Sequence, residues 1–202
     1  MTSIKGKAYM WLPMPNIVSV KCPHCSCHSE FSFSKSIIPK KIDRPYFDKS
    51  KSFKTQKVLS DSGWQYLAWY DPGLGKRNID VIHDLPVGVK AEDFKPNNFY
   101  VRHNLSRGVV VCHSCSLRKL HTLTWPDDAF FEVDYKGETL WAFNREMALT
   151  ILNYLQSSDR KKRIISTSGY VSQHSWLRKI PTVFQTKKAR REVVTKLRKV
   201  VA

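Results

Sequence analysis

Two short cysteine pairs constrain this chain more than anything else in it: Cys22-Pro23-His24-Cys25 and Cys112-His113-Ser114-Cys115. The Cys-x-x-Cys spacing lets one tight turn aim two thiolates at a common point, and a second such turn completes a tetrahedron. Four soft sulfurs in that array are what Zn²⁺ takes in a structural site, whereas a catalytic zinc keeps an open position and usually has His or carboxylate ligands. Each pair follows a β-prone run, Asn16–Lys21 or Val109–Val111, and each is followed by serine. One pair alone would read equally as a redox motif. Two in matching contexts read as one site, with Cys22, Cys25, Cys112 and Cys115 as ligands of a single structural Zn²⁺. Cys27 is left over, and His24, His28, His113 and His121 crowd the same turns. Any of these can replace a ligand or hold a second ion, Cys27 first, because it extends the pair to Cys-x-x-Cys-x-Cys.

The two pairs are separated by 86 residues, far more than a minimal metal-binding loop needs. An inserted β-rich subdomain is expected there. Ile37–Phe53 is basic and broken by Pro39 and Pro45, which suggests an exposed linker. Gly63–Tyr70 reads as an aromatic strand, Asp71-Pro72-Gly73 as a turn and Asn78–His83 as the returning strand. Asp84–Asn98 reads as a loop, and Phe99–His103 resumes strand character. After the second pair, Leu120–Trp125 is a short strand. Phe130–Tyr135 and Glu138–Phe143 then form the clearest hairpin, reversing at Lys136-Gly137. Asn144 offers a helix N-cap, and Met147, Ile151, Tyr154 and Leu155 fall on one helical face that should end near Ser157. Lys187–Val201 predicts a basic amphipathic helix capped by Thr186, with Ala189, Val193, Leu197 and Val200 on its apolar face.

The charge is the second constraint. A formal +17 over 202 residues should attract polyanions. Arg160–Ala202 holds 13 Lys/Arg and one acid, Glu192, so most of the excess is concentrated there. Arg160, Lys161, Lys162 and Arg163 form one cluster, and Lys187, Lys188, Arg190, Arg191 and Arg198 lie on the terminal helix. Basic side chains at a helix start oppose its dipole, so phosphate contact is a more natural reason for them than helix stability. Trp64, Tyr66, Trp69 and Tyr70 can stack bases, but strand alternation places Trp64, Tyr66 and Tyr70 in a core.

Catalytic patterns are thin. Gly73-Leu74-Gly75-Lys76 lacks the first glycine and the Ser/Thr of a phosphate loop. Asp80, His83 and Asp84, or Glu132, Asp134 and Lys136, would be the carboxylate clusters of a metal-dependent nuclease. No apolar run is long enough to span a bilayer, the N-terminus lacks a signal-peptide pattern, and the cysteine usage fits a reducing compartment. The expected location is cytoplasmic.

Cys22-Pro23-His24-Cys25-Ser26 resembles the Cys-Pro-x-Cys-Gly knuckle of zinc-ribbon proteins, the class seen in transcription factors and in uncharacterised bacterial proteins. Cys112-His113-Ser114-Cys115-Ser116 resembles the second knuckle. Serine stands in both where glycine is common. The segment Leu140-Trp141-Ala142-Phe143-Asn144-Arg145-Glu146 is similar to one recurring after a hairpin in bacterial ribbon proteins. The resemblance covers about a third of the chain, within 16–34 and 108–157. It implies a ribbon fold, zinc and frequent nucleic-acid or partner binding, and no reaction.

The expectation is therefore an α+β, mostly β chain. It has a four-cysteine zinc ribbon with hairpin and helix (1–35 and 108–158), an inserted β-rich subdomain (36–107) and a basic helical C-terminal region (159–202). The expected role is non-catalytic binding of nucleic acid, DNA ahead of RNA, as a subunit of a larger nucleoprotein complex. A metal-dependent nuclease and a module for an acidic protein partner are the alternatives.

Overall fold

The computed structural model describes residues 14–60, 63–74, 78–82, 84–96, 106–158 and 175–202. In chain order the strands and helices are β1 (Ile17–Lys21), β2 (His28–Phe33), β3 (Lys35–Ile37), α1 (Arg44–Lys49), β4 (Lys54–Ser60), β5 (Gly63–Tyr70), β6 (Lys95–Pro96), β7 (Arg107–Val111), β8 (Arg118–Thr122), β9 (Phe131–Tyr135), β10 (Glu138–Ala142), α2 (Arg145–Gln156) and α3 (Lys187–Val201). The chain is mostly β, with three α-helices among the described residues. No described helix is long and apolar enough to cross a membrane.

Two compact units result. The described part of one lies within Pro13–Val18 and Cys22–Leu123, and that of the other within Ser19–Lys21 and Thr124–Ala202. One sheet has the order β1-β2-β7-β8 and another the order β4-β5-β3-β6; Ile17 and Val18 of β1 and the other seven of these strands belong to the first unit. β2 pairs antiparallel with β7 from Glu30↔Val111 to Phe33↔Gly108, and β7 pairs with β8 from Arg107↔Thr122 to Val111↔Arg118. Gly108 is where these strands come closest. A Cβ there would fall 2.8 Å from Phe31 Cε1 and nearer still to the Ser32 carbonyl oxygen, so no other residue fits without displacement.

Asp71 carries a second constraint. It is fully buried, and Arg107 reaches it with two bonds, Nη2 to Oδ2 at 2.6 Å and Nε to Oδ1 at 3.2 Å. The Ser34 hydroxyl donates to Oδ1 at 2.7 Å. Sequence alone marked this aspartate as a turn residue, yet it is a satisfied internal ion pair.

Residues 36–107 depart from three expectations. Ile37–Phe53 is no linker: it contains α1, with Pro45 in the first turn, where its missing N–H costs nothing. Phe47 and Phe53 pack with Ala68, Tyr70, Ile79 and Phe94 in a core of their own. The returning strand expected at Asn78–His83 is instead a 3-10 turn at Ile79–Val81, with Ile79 buried. β5 pairs with β4 on one side and β3 on the other. The sequence Lys-Thr-Gln-Lys-Val-Leu-Ser hid β4 because its polar residues obscure the alternation. Within the expected loop at Asp84–Asn98, β6 pairs with β3, bringing Pro96 opposite Lys35. His83 and Phe99–His103 lie outside the described residues.

The second unit follows its sequence closely. The β9–β10 hairpin turns at Lys136-Gly137, both at positive φ (53° and 79°), as a two-residue type I′ turn requires. Phe131, Val133 and Tyr135 are buried, but the return strand covers both faces, since Leu140, Trp141, Ala142 and Phe143 are all buried. The Asn144 side chain accepts from Met147 N at 2.9 Å, and α2 buries the predicted Met147, Ile151, Tyr154 and Leu155. The Thr186 hydroxyl caps α3 by accepting from Ala189 N. α3 packs on α2 and β9 through Ala189, Val193, Leu197 and Val201; the last replaces the expected Val200.

Candidate metal centre and basic groove

Each cysteine pair sits at the tip of a hairpin, between β1 and β2 and between β7 and β8. Because β2 runs away from its tip while β7 runs toward its own, their antiparallel pairing places both tips at the same end of the sheet. The Sγ atoms of Cys22 and Cys115 are 3.6 Å apart, as are those of Cys25 and Cys112. All four sulfurs lie within 4.8 Å of one another. A tetrahedral ion with metal–sulfur bonds of about 2.3 Å needs sulfur–sulfur edges of about 3.8 Å. A disulfide needs about 2 Å, and the cysteines are all free. The four can therefore hold a metal ion, and among the described residues they are the one group of three or more His, Cys, Asp or Glu that can.

The two turns are near copies. Cys22 N donates to the Cys27 carbonyl at 2.8 Å and Cys112 N to that of Leu117 at 2.9 Å. Ser26 and Ser116, the positions after each pair, both take left-handed backbone, φ 60° and 58°. This is the conformation for which glycine is favoured, and it explains the register of serine against glycine noted in the sequence. Ser29, fully buried, was not identified from sequence. Its hydroxyl, which donates to the Cys27 carbonyl at 3.5 Å, is also the first of the polar neighbours, ahead of Cys115 and Cys25, that draw the Cys112 thiol down to about 5 against the effect of burial. Cys25, despite the Cys27 backbone bond that favours its thiolate, is pushed up by burial and the neighbouring sulfurs. Four thiolates this close repel, so the set ionises fully only around a cation.

Cys27 is exposed and stands outside the cluster, so it does not substitute for a ligand. His24, His28 and His113 are exposed, and His121 lies edge-on to Phe31 at 6.2 Å.

α3 supplies the second feature. Lys187, Arg190, Arg191 and Arg198 converge on a groove of about 450 Å³ whose apolar wall is Leu155 and Val194. With its amide oriented to satisfy both partners, Gln156 accepts from Arg198 Nε at 3.0 Å and Nη2 at 2.7 Å. Arg190 Nε is buried without an acceptor. Glu192, the acid of this helix, is engaged by Lys196 at 2.8 Å and does not line the groove. Lys188 is exposed outside it. Arg160, Lys161, Lys162 and Arg163 lie outside the described residues.

Two carboxylates of the nuclease alternative have partners and one is exposed. Glu132 pairs with Lys21, Asp134 Oδ1 accepts from the Thr139 hydroxyl at 2.6 Å, and Asp80 is exposed. The chain matches no protein-family model, no curated protein and no solved structure.

Proposed function

We propose that the chain is a zinc-ribbon nucleic-acid-binding protein. Zn²⁺ held by Cys22, Cys25, Cys112 and Cys115 fixes the scaffold as a closed, non-catalytic site, and the cationic residues of α3 grip phosphates. Its setting is a larger nucleoprotein assembly, on DNA ahead of RNA. The observation that carries the binding reading is the groove. Four cationic side chains share it with no carboxylate, and one guanidinium N–H has no acceptor. An uncompensated cationic cavity is stabilised by a polyanion, and phosphate is the anion that guanidinium geometry suits. Arg160–Arg163 extend this grip on the strength of sequence alone.

The test uses the full-length zinc-loaded protein, because α3 packs into its unit and its removal would expose that core. Anisotropy titrations of labelled duplex and single-stranded oligonucleotides across a salt series should show affinity falling steeply with salt. Each phosphate contact contributes about 0.9 to the logarithmic slope on duplex and about 0.7 on single strands. The double variant Lys187→Gln, Arg191→Gln should lower that slope by up to about two units on duplex. Absence of binding at low salt, or a slope unchanged in the variant, would sink the reading.

A further inference from the structure

The β4–β5 hairpin presents an aromatic face that its own unit covers at one end only. Trp64, Tyr66, Ala68 and Tyr70 share one face of β5, since side chains alternate along a strand. Tyr70 and Ala68 are buried against Phe47 and Phe53. Tyr66 is half-buried, its hydroxyl donates to Asp48, and the Arg44 guanidinium lies 4.8 Å over its ring. Trp64, the next residue outward, is 73% exposed, and its cross-strand partner Leu59 is 57% exposed. Lys57 stands opposite Tyr66 on the adjoining rung. The expectation that Trp64 and Tyr66 belong to the core is thus corrected: on this face the core ends at Ala68, four residues short of Trp64.

The surroundings select the occupant. Two cations are placed at this face, Arg44 over the Tyr66 ring and Lys57 opposite Tyr66, and the acid beside them, Asp48, is taken up by Tyr66 and the Thr55 hydroxyl. A wholly apolar partner would leave these cations unmatched, and an acidic peptide would leave the indole face wet. A nucleobase on its phosphate chain meets both demands. In a duplex the base faces are covered by their neighbours, whereas unpaired bases offer them freely.

We propose that Trp64 is a base-stacking residue for single-stranded nucleic acid, with Leu59 beside it and Lys57 positioned for the flanking phosphate. This rests on the nucleic-acid reading and adds to it a preference for unpaired strands.

The test measures the full-length zinc-loaded protein on a fluorescein-labelled single strand of about 16 nucleotides, on the same sequence as duplex, and on a strand of equal length carrying abasic sites. Trp64→Ala should weaken single-strand binding about 5- to 150-fold, the range that base–aromatic stacking gives on truncation. Its salt slope should stay unchanged, because no phosphate contact is removed. Trp64→Phe should keep most of the affinity, and duplex binding should be unaffected by either change. Should Trp64→Ala fold poorly, the wild-type protein decides, since it must lose a comparable factor on the abasic strand, whose phosphates are the same. Equal affinity for intact and abasic strands, or equal losses on duplex and single strand, would overturn the stacking assignment while leaving the phosphate grip standing. No binding to any probe would overturn both.

Discussion

Ser26 and Ser116 hold the same unfavourable backbone for the same reason, each closing a cysteine turn so that the next strand can begin. Left-handed backbone costs an L-residue roughly 1–2 kcal/mol, and glycine returns part of that gain through its larger unfolded-state entropy. Ser26→Gly and Ser116→Gly should therefore each stabilise the protein by about 0.5 kcal/mol, read as a higher urea midpoint with an unchanged slope. A lower midpoint would mean that the serine hydroxyls hold the turns in place. At this scale the sequence was legible where chemistry is local: the four cysteines, the Asn144 and Thr186 caps and the Lys136-Gly137 turn each sit where the spacing places them. Ser29 and Asp71 were not legible, because their partners Cys112 and Arg107 lie 83 and 36 residues away.

Among the elements, the β9–β10 hairpin and both long helices show why some of the fold could be read and some could not. β9 and both helices have clean apolar periods, and each element has a cap or turn of its own. The Ile37–Phe53 stretch has neither; two phenylalanines among lysines and serines gain their burial from β5, Ile79 and Phe94, all distant in the chain. Tertiary packing there overrides a sequence that looks like a linker. The β2–β7 pairing is the element on which the cysteine geometry depends, and Gly108 sets how closely it forms. Gly108→Ala should cost about 3 kcal/mol, as overpacking of a tight core does. It should also weaken metal retention, measured by competition with a chromogenic chelator. Wild-type melting and metal retention in that variant would show that Phe31 can move aside.

At the scale of the whole molecule, the proposed ion ties together residues far apart in the chain, so its removal should act as partial unfolding rather than as a local loss. Chelation of the zinc-loaded protein should lower its melting temperature and strip hydrogen-exchange protection from β2, β7 and β8, with α2 and α3 protected longest. Uniform protection with and without chelator would mean that the cysteine cluster contributes nothing to the fold. The β3–β6 pairing adds an order in time. All four strands of the β4-β5-β3-β6 sheet precede Cys112 in the chain, and Lys35 lies opposite Pro96 within it. During synthesis at about 5–20 residues per second, the first cysteine pair is out for seconds before the second exists. Folding of this sheet in that interval would draw its two ends together and shorten the closure left between the pairs. In that order of events the β4-β5-β3-β6 sheet would be a clasp that delivers the second pair to the first, and Phe47→Ala in its core should slow zinc uptake by a newly made chain, read as slower loss of free thiols, without touching a single sulfur.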